Sequence, residues 1–262
     1  MSDRGPGVNR TTAEAARADD EPTAGDSEPT AGGSSPACAC DAAPSISAHF
    51  DAKVRRMGSG ATGTPHATTR ALLDLLGDAN GHTVLELGAG RGGLLLEVLR
   101  NGAARVTGIE LSEASLAVAR QRIADDGYAD RADLVVGDGA AVPLEPHDWV
   151  VLDRVICCYP GADALVAHSA GAARQRYAFA VPDSGGWRGV ASRIARLVDN
   201  SWNSLMRRPC TTFVHDLERI DGILRGAGLV PSATARRGLW HVAVYERASA
   251  GPGQTVPARP RS

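Results

Sequence analysis

The chain has 262 residues, a formal net charge of −2 and 43% hydrophobic residues. No apolar run approaches the roughly 18–20 residues that span a bilayer, which excludes helical membrane insertion, and the N-terminal stretch has no apolar segment of a secretory signal. Aromatic residues at 4% and a near-neutral charge argue against nucleic acid as a partner, whether by base stacking or by phosphate neutralisation. A cytoplasmic globular protein is the expectation.

The composition is uneven. Residues 1–45 hold only Met1 and Val8 as large apolar side chains and carry eight acids against three arginines, a local charge of −5. Such a stretch buries too little surface to offset its ordering entropy, and a disordered acidic tail is expected there. The Gly/Pro-rich residues 248–262 are read as a second tail. One domain is expected over 46–247.

In chain order, Ala48 to Arg56 reads as a short helix, followed by a Gly-rich break at Gly58 to Gly63. Thr64 and Pro65 look like an N-cap and first turn, Leu72, Leu73, Leu75 and Leu76 supply a helical face, and Gly77 is a C-terminal stop. A strand at Thr83–Leu87 runs into the loop Gly88-Ala-Gly-Arg-Gly-Gly93 and a leucine-rich helix. Further strands are expected at Arg105–Glu110, Asp133–Val136, Asp148–Asp153 and Tyr177–Val181, with Ser112 capping a helix that reaches about Ala124. Gly228–Ala235 and Leu239–Tyr245, joined by a short turn, read as a closing antiparallel hairpin. Strands alternating with helices predict an α/β fold, a doubly wound Rossmann-like sheet of seven mainly parallel strands.

Between the fifth strand and the hairpin, Trp187, Val190, Ile194, Leu197, Val198, Trp202, Leu205 and Met206 recur at three- and four-residue steps, which marks an amphipathic helix. It is expected to pack its apolar face on the sheet and leave Arg188, Arg193, Arg196, Arg207 and Arg208 in solvent. A lid over a substrate pocket, its arginines attracting an anionic substrate, and docking on a membrane surface are the alternatives. Five cysteines (Cys38, Cys40, Cys157, Cys158 and Cys210) contain no CxxC pair, so reduced thiols are expected, and no metal site. A thiolate at Cys157 or Cys158 that takes a soft acceptor is the sharper alternative.

The strand–loop–helix unit at Val84 to Arg100 carries the main chemical signal. Its glycines admit a ligand to the backbone, and the helix N-terminus offers unpaired N–H groups. Gly88, Gly90 and Gly93 with Glu110 also fit a dinucleotide fingerprint, so the loop alone leaves an NAD-dependent oxidoreductase open. Glu86, two residues before the first glycine, suits a ligand ammonium and opposes a pyrophosphate by Coulomb sign. Glu110 is placed to accept from two ribose hydroxyls, and Asp138 from an adenine amino group.

Acids ending three successive strands resemble the pattern of class I S-adenosylmethionine-dependent methyltransferases. The segment Val151-Leu-Asp-Arg-Val-Ile-Cys-Cys-Tyr-Pro160, with Thr212-Phe-Val-His215 and Leu239–Arg247, is similar to a bacterial subgroup resembling magnesium-protoporphyrin O-methyltransferases. The resemblance covers roughly residues 50–247 and implies S-adenosylmethionine as cofactor, held by Glu86, Gly88, Ala89, Gly90, Glu110, Leu111, Asp138, Gly139 and Asp153. Catalytic roles then fall to the end of the fourth strand. Asp153 orients the acceptor or the cofactor's amino end, Arg154 neutralises a carboxylate, and Tyr159 walls the site. His215 and His241 are candidate bases. The expected partner is a small molecule, anionic if the arginine surplus of the domain is a guide. A protein that binds the cofactor without turnover is a further alternative, and oligomeric state stays open.

Overall fold

A computed structural model describes residues 39–57, 65–205 and 211–248. The expectations for residues 1–38, the Gly58–Gly63 break, the Thr64 cap, Cys38, Cys210, Met206 to Arg208 and the end of the C-terminal tail fall outside these residues. The helices are α1 (Ala39–Met57), α2 (Ala67–Leu76), α3 (Gly93–Arg100), α4 (Glu113–Asp125), α5 (Ala162–Ala172), α6 (Gly186–Leu205) and α7 (Leu217–Gly226). The strands are β1 (Thr83–Leu87), β2 (Arg105–Glu110), β3 (Ala132–Val136), β4 (His147–Asp153), β5 (Ala173–Pro182), β6 (Leu229–Arg237) and β7 (Trp240–Arg247).

They form one seven-stranded sheet in the order β3-β2-β1-β4-β5-β7-β6. The first five strands are mutually parallel, and β7 runs antiparallel to both β5 and β6. The expected sheet with its closing hairpin is therefore present. Apolar residues of β1 and β4 alternate between its faces as the pleat requires. Leu85, Val150 and Leu152 pack with α5 and α7, while Val84, Trp149 and Val151 pack with α2 and α3. Burial on both faces accounts for the continuous apolar run of β4.

Several boundaries differ from expectation. The first helix begins at Ala39, nine residues earlier than its apolar pattern suggested, and includes Cys40 and Pro44. Pro44 reads as a helix breaker, and at the sixth position, past the first turn, it removes one intrahelical hydrogen bond without ending the helix. The second helix starts at Ala67 after His66, so Pro65 precedes its first turn. Gly77 does close it, at φ +75°, and Ser112 Oγ does cap α4, accepting from the Ser115 N–H at 3.1 Å.

The largest correction concerns α6, whose buried residues are Gly189 and Ser192. Its small and polar face meets the domain, and its apolar face is exposed rather than packed on the sheet. The reason is local. A Cβ on Gly189 would stand 2.1 Å from the Ser184 carbonyl oxygen, so only glycine permits this approach. The helix that does pack on the sheet after β5 is α7, through Ile220 and Leu224.

Candidate active site

In this order β1 and β4 are neighbours whose chain connections depart in opposite directions. The crevice beyond their carboxyl ends is where such sheets bind ligands. Glu86 of β1, Glu110 at the end of β2, Asp138 after β3 and Asp153 at the end of β4 all stand at that edge.

The loop after β1 owes its shape to three glycines at positive φ, Gly88, Gly90 and Gly92. Gly88, at φ +70°, lies so close to the turn after β4 that a Cβ would meet Val155 Cγ2 at 2.4 Å. Gly90, at φ +53°, is different: a Cβ there meets only the Gly88 carbonyl oxygen, at 3.9 Å. Gly88 is thus needed for internal packing, whereas Gly90 borders open space. Ala89 is buried beneath them.

Glu110 ties this loop to the next. Its Oε2 accepts the Gly90 N–H at 2.9 Å and its Oε1 accepts the Ser112 N–H at 2.9 Å. Burial pushes its carboxyl up, against the opposing pull of the Ser112, Gly90 and Leu111 N–H groups. The lone pairs left over are available to hydroxyl donors. Leu111 is held from above by α1, as Ser47 Oγ donates to its carbonyl at 3.0 Å. Asp51 Oδ1 of α1 accepts from Ser112 Oγ at 2.5 Å and from the Ala114 N–H at 3.3 Å. The sequence reading had assigned neither Ser47 nor Asp51.

Asp138 Oδ1 accepts from the Ala140 N–H at 2.9 Å and from Tyr159 Oη at 2.8 Å. Tyr159 is 4% exposed, and burial, then its bond to Asp138, drives its hydroxyl well above the usual phenol range. It therefore remains a donor at any working pH and serves to fix Asp138. Gly139 lies against Leu87, its would-be Cβ 3.3 Å from that side chain.

The deepest group is Glu86, 4% exposed, with no hydrogen-bond partner for its Oε2. Burial, then the Asp153 and Glu110 carboxylates, push its carboxyl well above the ordinary glutamate range. Asp153 Oδ2 accepts from Thr69 Oγ1 at 2.5 Å, while its buried Oδ1 has no hydrogen bond and stands 3.5 Å from Arg154 Nε. Thr69 escaped the sequence reading because nothing in α2 distinguishes it from a helix-surface threonine. Three carboxyl groups thus converge on a buried crevice with one arginine beside them, an arrangement that favours a cationic ligand.

Arg154 has φ +62°, the only positive value for a non-glycine among the described residues. Its carbonyl accepts from Cys157 Sγ at 3.5 Å and Cys158 Sγ at 3.7 Å, so both thiols brace this turn. Among the described residues no three His, Cys, Asp or Glu side chains are arranged to hold a metal ion. A left-handed arginine costs about 1–2 kcal/mol, which persists only where the surroundings hold it. Replacing Arg154 with Gly is expected to leave the melting temperature equal or higher while lowering turnover at saturating cofactor. Melting curves beside initial rates check this, and a parallel fall in both would assign the residue to structure alone.

The two histidines separate. His215 lies over the turn after β4, near the Tyr159 and Ile156 carbonyls, and burial lowers its imidazole pKa despite their opposing pull. The neighbouring Phe213 N–H donates to the Cys157 carbonyl at 2.8 Å. His241 sits on β7, its pKa lowered by burial against the pull of Asp183. Of the two, the structure brings His215 to the β4 end, and His241 stays with β5 and β7.

Comparison with known proteins agrees with this geometry. Residues 84–175 match a family described as the methyltransferase domain. Among curated proteins, the ribosomal protein L11 methyltransferase of Deinococcus radiodurans is 31% identical over 93 residues, 33% of this chain and 34% of that protein. Its counterpart from Salmonella arizonae is 36% identical over 97 residues, 36% and 31% of the two chains. The chain thus spans about a third of the length of these relatives. Among solved structures, magnesium protoporphyrin IX methyltransferase from Synechocystis, with bound S-adenosylhomocysteine, aligns at TM-score 0.61 and 19% identity over 78% of this chain and 98% of that one. Geranyl diphosphate C-methyltransferase from Streptomyces coelicolor aligns at TM-score 0.58 and 15% identity over 82% and 100%. These structural likenesses establish the fold.

Proposed function

We propose that this chain, whose residues 84–175 match the methyltransferase domain, is a class I methyltransferase that transfers a methyl group from S-adenosylmethionine to a small-molecule acceptor. The observation that carries this reading is the buried Glu86 carboxyl with its unpartnered Oε2 beside Asp153 and Glu110. That crevice suits an ammonium next to a sulfonium. It opposes the pyrophosphate that an NAD-dependent oxidoreductase would place there.

S-adenosylmethionine supplies a methyl group activated by the sulfonium. The chain's own residues bind and align. Glu86 receives the ammonium, Glu110 the ribose hydroxyls, and Asp138, fixed by Tyr159 and the Ala140 N–H, the adenine amino group. Gly88, Ala89 and Gly90 line the approach, with Leu111 and Gly139 beside the ribose and adenine. Asp153, anchored by Thr69, orients the donor or the acceptor at the crevice mouth. Arg154 neutralises an anionic acceptor. No oxyanion hole is needed for a neutral thioether leaving group, so alignment of nucleophile and methyl supplies most of the rate. His215, kept neutral by burial, is placed to take a proton from an acceptor that carries one.

The catalytic domain in this reading spans residues 46–247. A cytoplasmic setting is part of this reading. Among the described residues no helix is long and apolar enough to cross a membrane.

Isothermal titration separates the readings. S-adenosylhomocysteine is expected to bind at micromolar concentration and NADH not at all, and the reverse would sink the assignment. Transfer of a labelled methyl group to members of a library of carboxylated small molecules then tests turnover. Binding without transfer to any acceptor would favour a non-catalytic cofactor-binding protein.

A further inference from the structure

α6 inverts the usual relation between an amphipathic helix and its domain. Trp187, Ile194, Leu197, Val198, Trp202 and Leu205 are between 56% and 73% exposed. At about 100° per residue they fall within an arc of roughly 140°, opposite the face that meets the domain. The inward face is locked. Gly189 touches Ser184, and Ser192 Oγ donates to the Leu239 carbonyl at 3.4 Å. Arg196 stacks over Trp240 at 5.4 Å, and the Asn200 side chain exchanges hydrogen bonds of 2.8 and 2.9 Å with the Thr212 backbone. Rotating the helix to bury its apolar stripe would break all four contacts. The exposure is therefore a property of how the helix is docked.

We propose that the outward face of α6 seats on an anionic lipid surface. Three features select this occupant. The stripe carries a tryptophan near each end, Trp187 and Trp202, the side chain that favours the boundary between headgroups and acyl chains. Its two edges carry Arg188 and Arg193, whose aliphatic stems can lie along the apolar surface while their heads reach lipid phosphates. Residues 186–205 hold three arginines against one acid, Asp199, and that acid is already paired with Arg196 at 3.1 Å. A second copy of the chain would bring like charges together along both edges of the same stripe, whereas an anionic bilayer complements them. Arg207 and Arg208 follow directly in sequence and add to the positive charge.

The placement gives such docking a consequence. α6 leaves the carboxyl end of β5, and Asn200 joins it to the Thr212–Phe213 segment, which bonds to Cys157 at the end of β4. A lipid surface under α6 would lie beside the acceptor side of the crevice and would favour acceptors that partition into membranes. The docking itself does not depend on the methyltransferase reading.

Flotation of the full chain with vesicles tests it, using phosphatidylcholine alone and an equal mixture with phosphatidylglycerol. Binding is expected on the mixed vesicles, with a blue shift of tryptophan emission, and at least about 10-fold weaker binding on phosphatidylcholine. The double variant Leu197→Glu, Trp202→Glu alters only exposed positions. It is expected to keep the wild-type melting temperature and to lose at least about 10-fold in vesicle affinity. The pair Arg188→Gln, Arg193→Gln should remove the preference for the anionic lipid. Absence of binding to mixed vesicles, or binding unchanged by the double variant, would overturn the proposal. So would a dimer, seen by sedimentation, that the double variant dissociates while vesicle binding is absent.

Discussion

Replacing Gly90 with Asp is expected to abolish measurable binding of S-adenosylhomocysteine while leaving the fold standing. The two halves of this expectation have separate physical origins. A Cβ at Gly90 meets nothing within the protein closer than the Gly88 carbonyl oxygen at 3.9 Å, so the new side chain strikes no internal neighbour. Its φ of +53° lies in the left-handed region, where aspartate is among the better-tolerated residues, at a cost of about 1 kcal/mol. A chain of this size then loses roughly 2–4 °C in melting temperature. The open side of Gly90 is, however, the side from which the ligand must approach. A carboxylate placed there fills that space and adds negative charge beside Glu110, which already accepts the Gly90 N–H. Steric exclusion and misplaced charge together amount to several kcal/mol, a loss of affinity on the order of 100-fold or more. Titration calorimetry reads the affinity, and a thermal melt reads the fold. Gly88→Ala supplies the contrast, because its Cβ would stand 2.4 Å from Val155 and should act first on stability. Retained affinity in Gly90→Asp would remove the loop from the cofactor site.

Much of this arrangement was legible in the sequence because it rests on local rules. Continuous apolar strands, the glycines after β1 and the Ser112 cap each obey short-range chemistry, and acids at strand ends fall on one edge once the strands are parallel. The misses have physical causes too. α5, Ala162–Ala172, is rich in alanine and buried on several sides, so it shows little of the periodicity that betrays a surface helix. α7 does carry a usable signal, since Asp216 caps it by accepting the Glu218 N–H at 3.0 Å and Ile220 and Leu224 share its inner face. It was eclipsed by the stronger periodicity of α6 just before it. That periodicity identified the helix correctly and its orientation wrongly. A helical pattern records which residues share a face, not whether that face turns inward. Beyond the local fit of Gly189, the orientation was set by Ser192 and Arg196, whose partners Leu239 and Trp240 lie more than forty residues away. Thr69 and Asp51 belong to the same class, since each gains meaning only from a carboxylate or hydroxyl more than sixty residues away.

Glu86→Gln is expected to stabilise the protein and weaken its cofactor binding, with both effects growing as pH rises above the unfolded glutamate value of about 4.3. The cause is the raised carboxyl pKa, which burial produces first and Asp153 and Glu110 reinforce. The sign follows from linkage. A group that holds its proton more tightly when folded contributes stability fully below its unfolded value, about 4.3 for glutamate, and loses it as pH climbs toward the folded value. Glutamine has nothing to ionise, so the difference in melting temperature between variant and wild type should widen over that range. Cofactor binding runs the opposite way. An ammonium seated beside Glu86 favours the carboxylate, so binding expels a proton and the association constant of the wild type should rise with pH. The rise ends where Glu86 is already ionised in the free protein, and above about 7.7–8 the ligand's own ammonium begins to deprotonate. The glutamine variant should lose this slope together with the charge-assisted hydrogen bond, worth about 1.5–3 kcal/mol, or roughly 10- to 100-fold in affinity. Calorimetry in buffers of differing ionisation enthalpy exposes the expelled proton directly. The binding enthalpy of the wild type should vary with the buffer, and that of the variant should not. Equal buffer dependence in both proteins would mean that Glu86 keeps its proton in the complex and that the ammonium is received elsewhere, with Asp153 and its unbonded Oδ1 the next carboxylate in line.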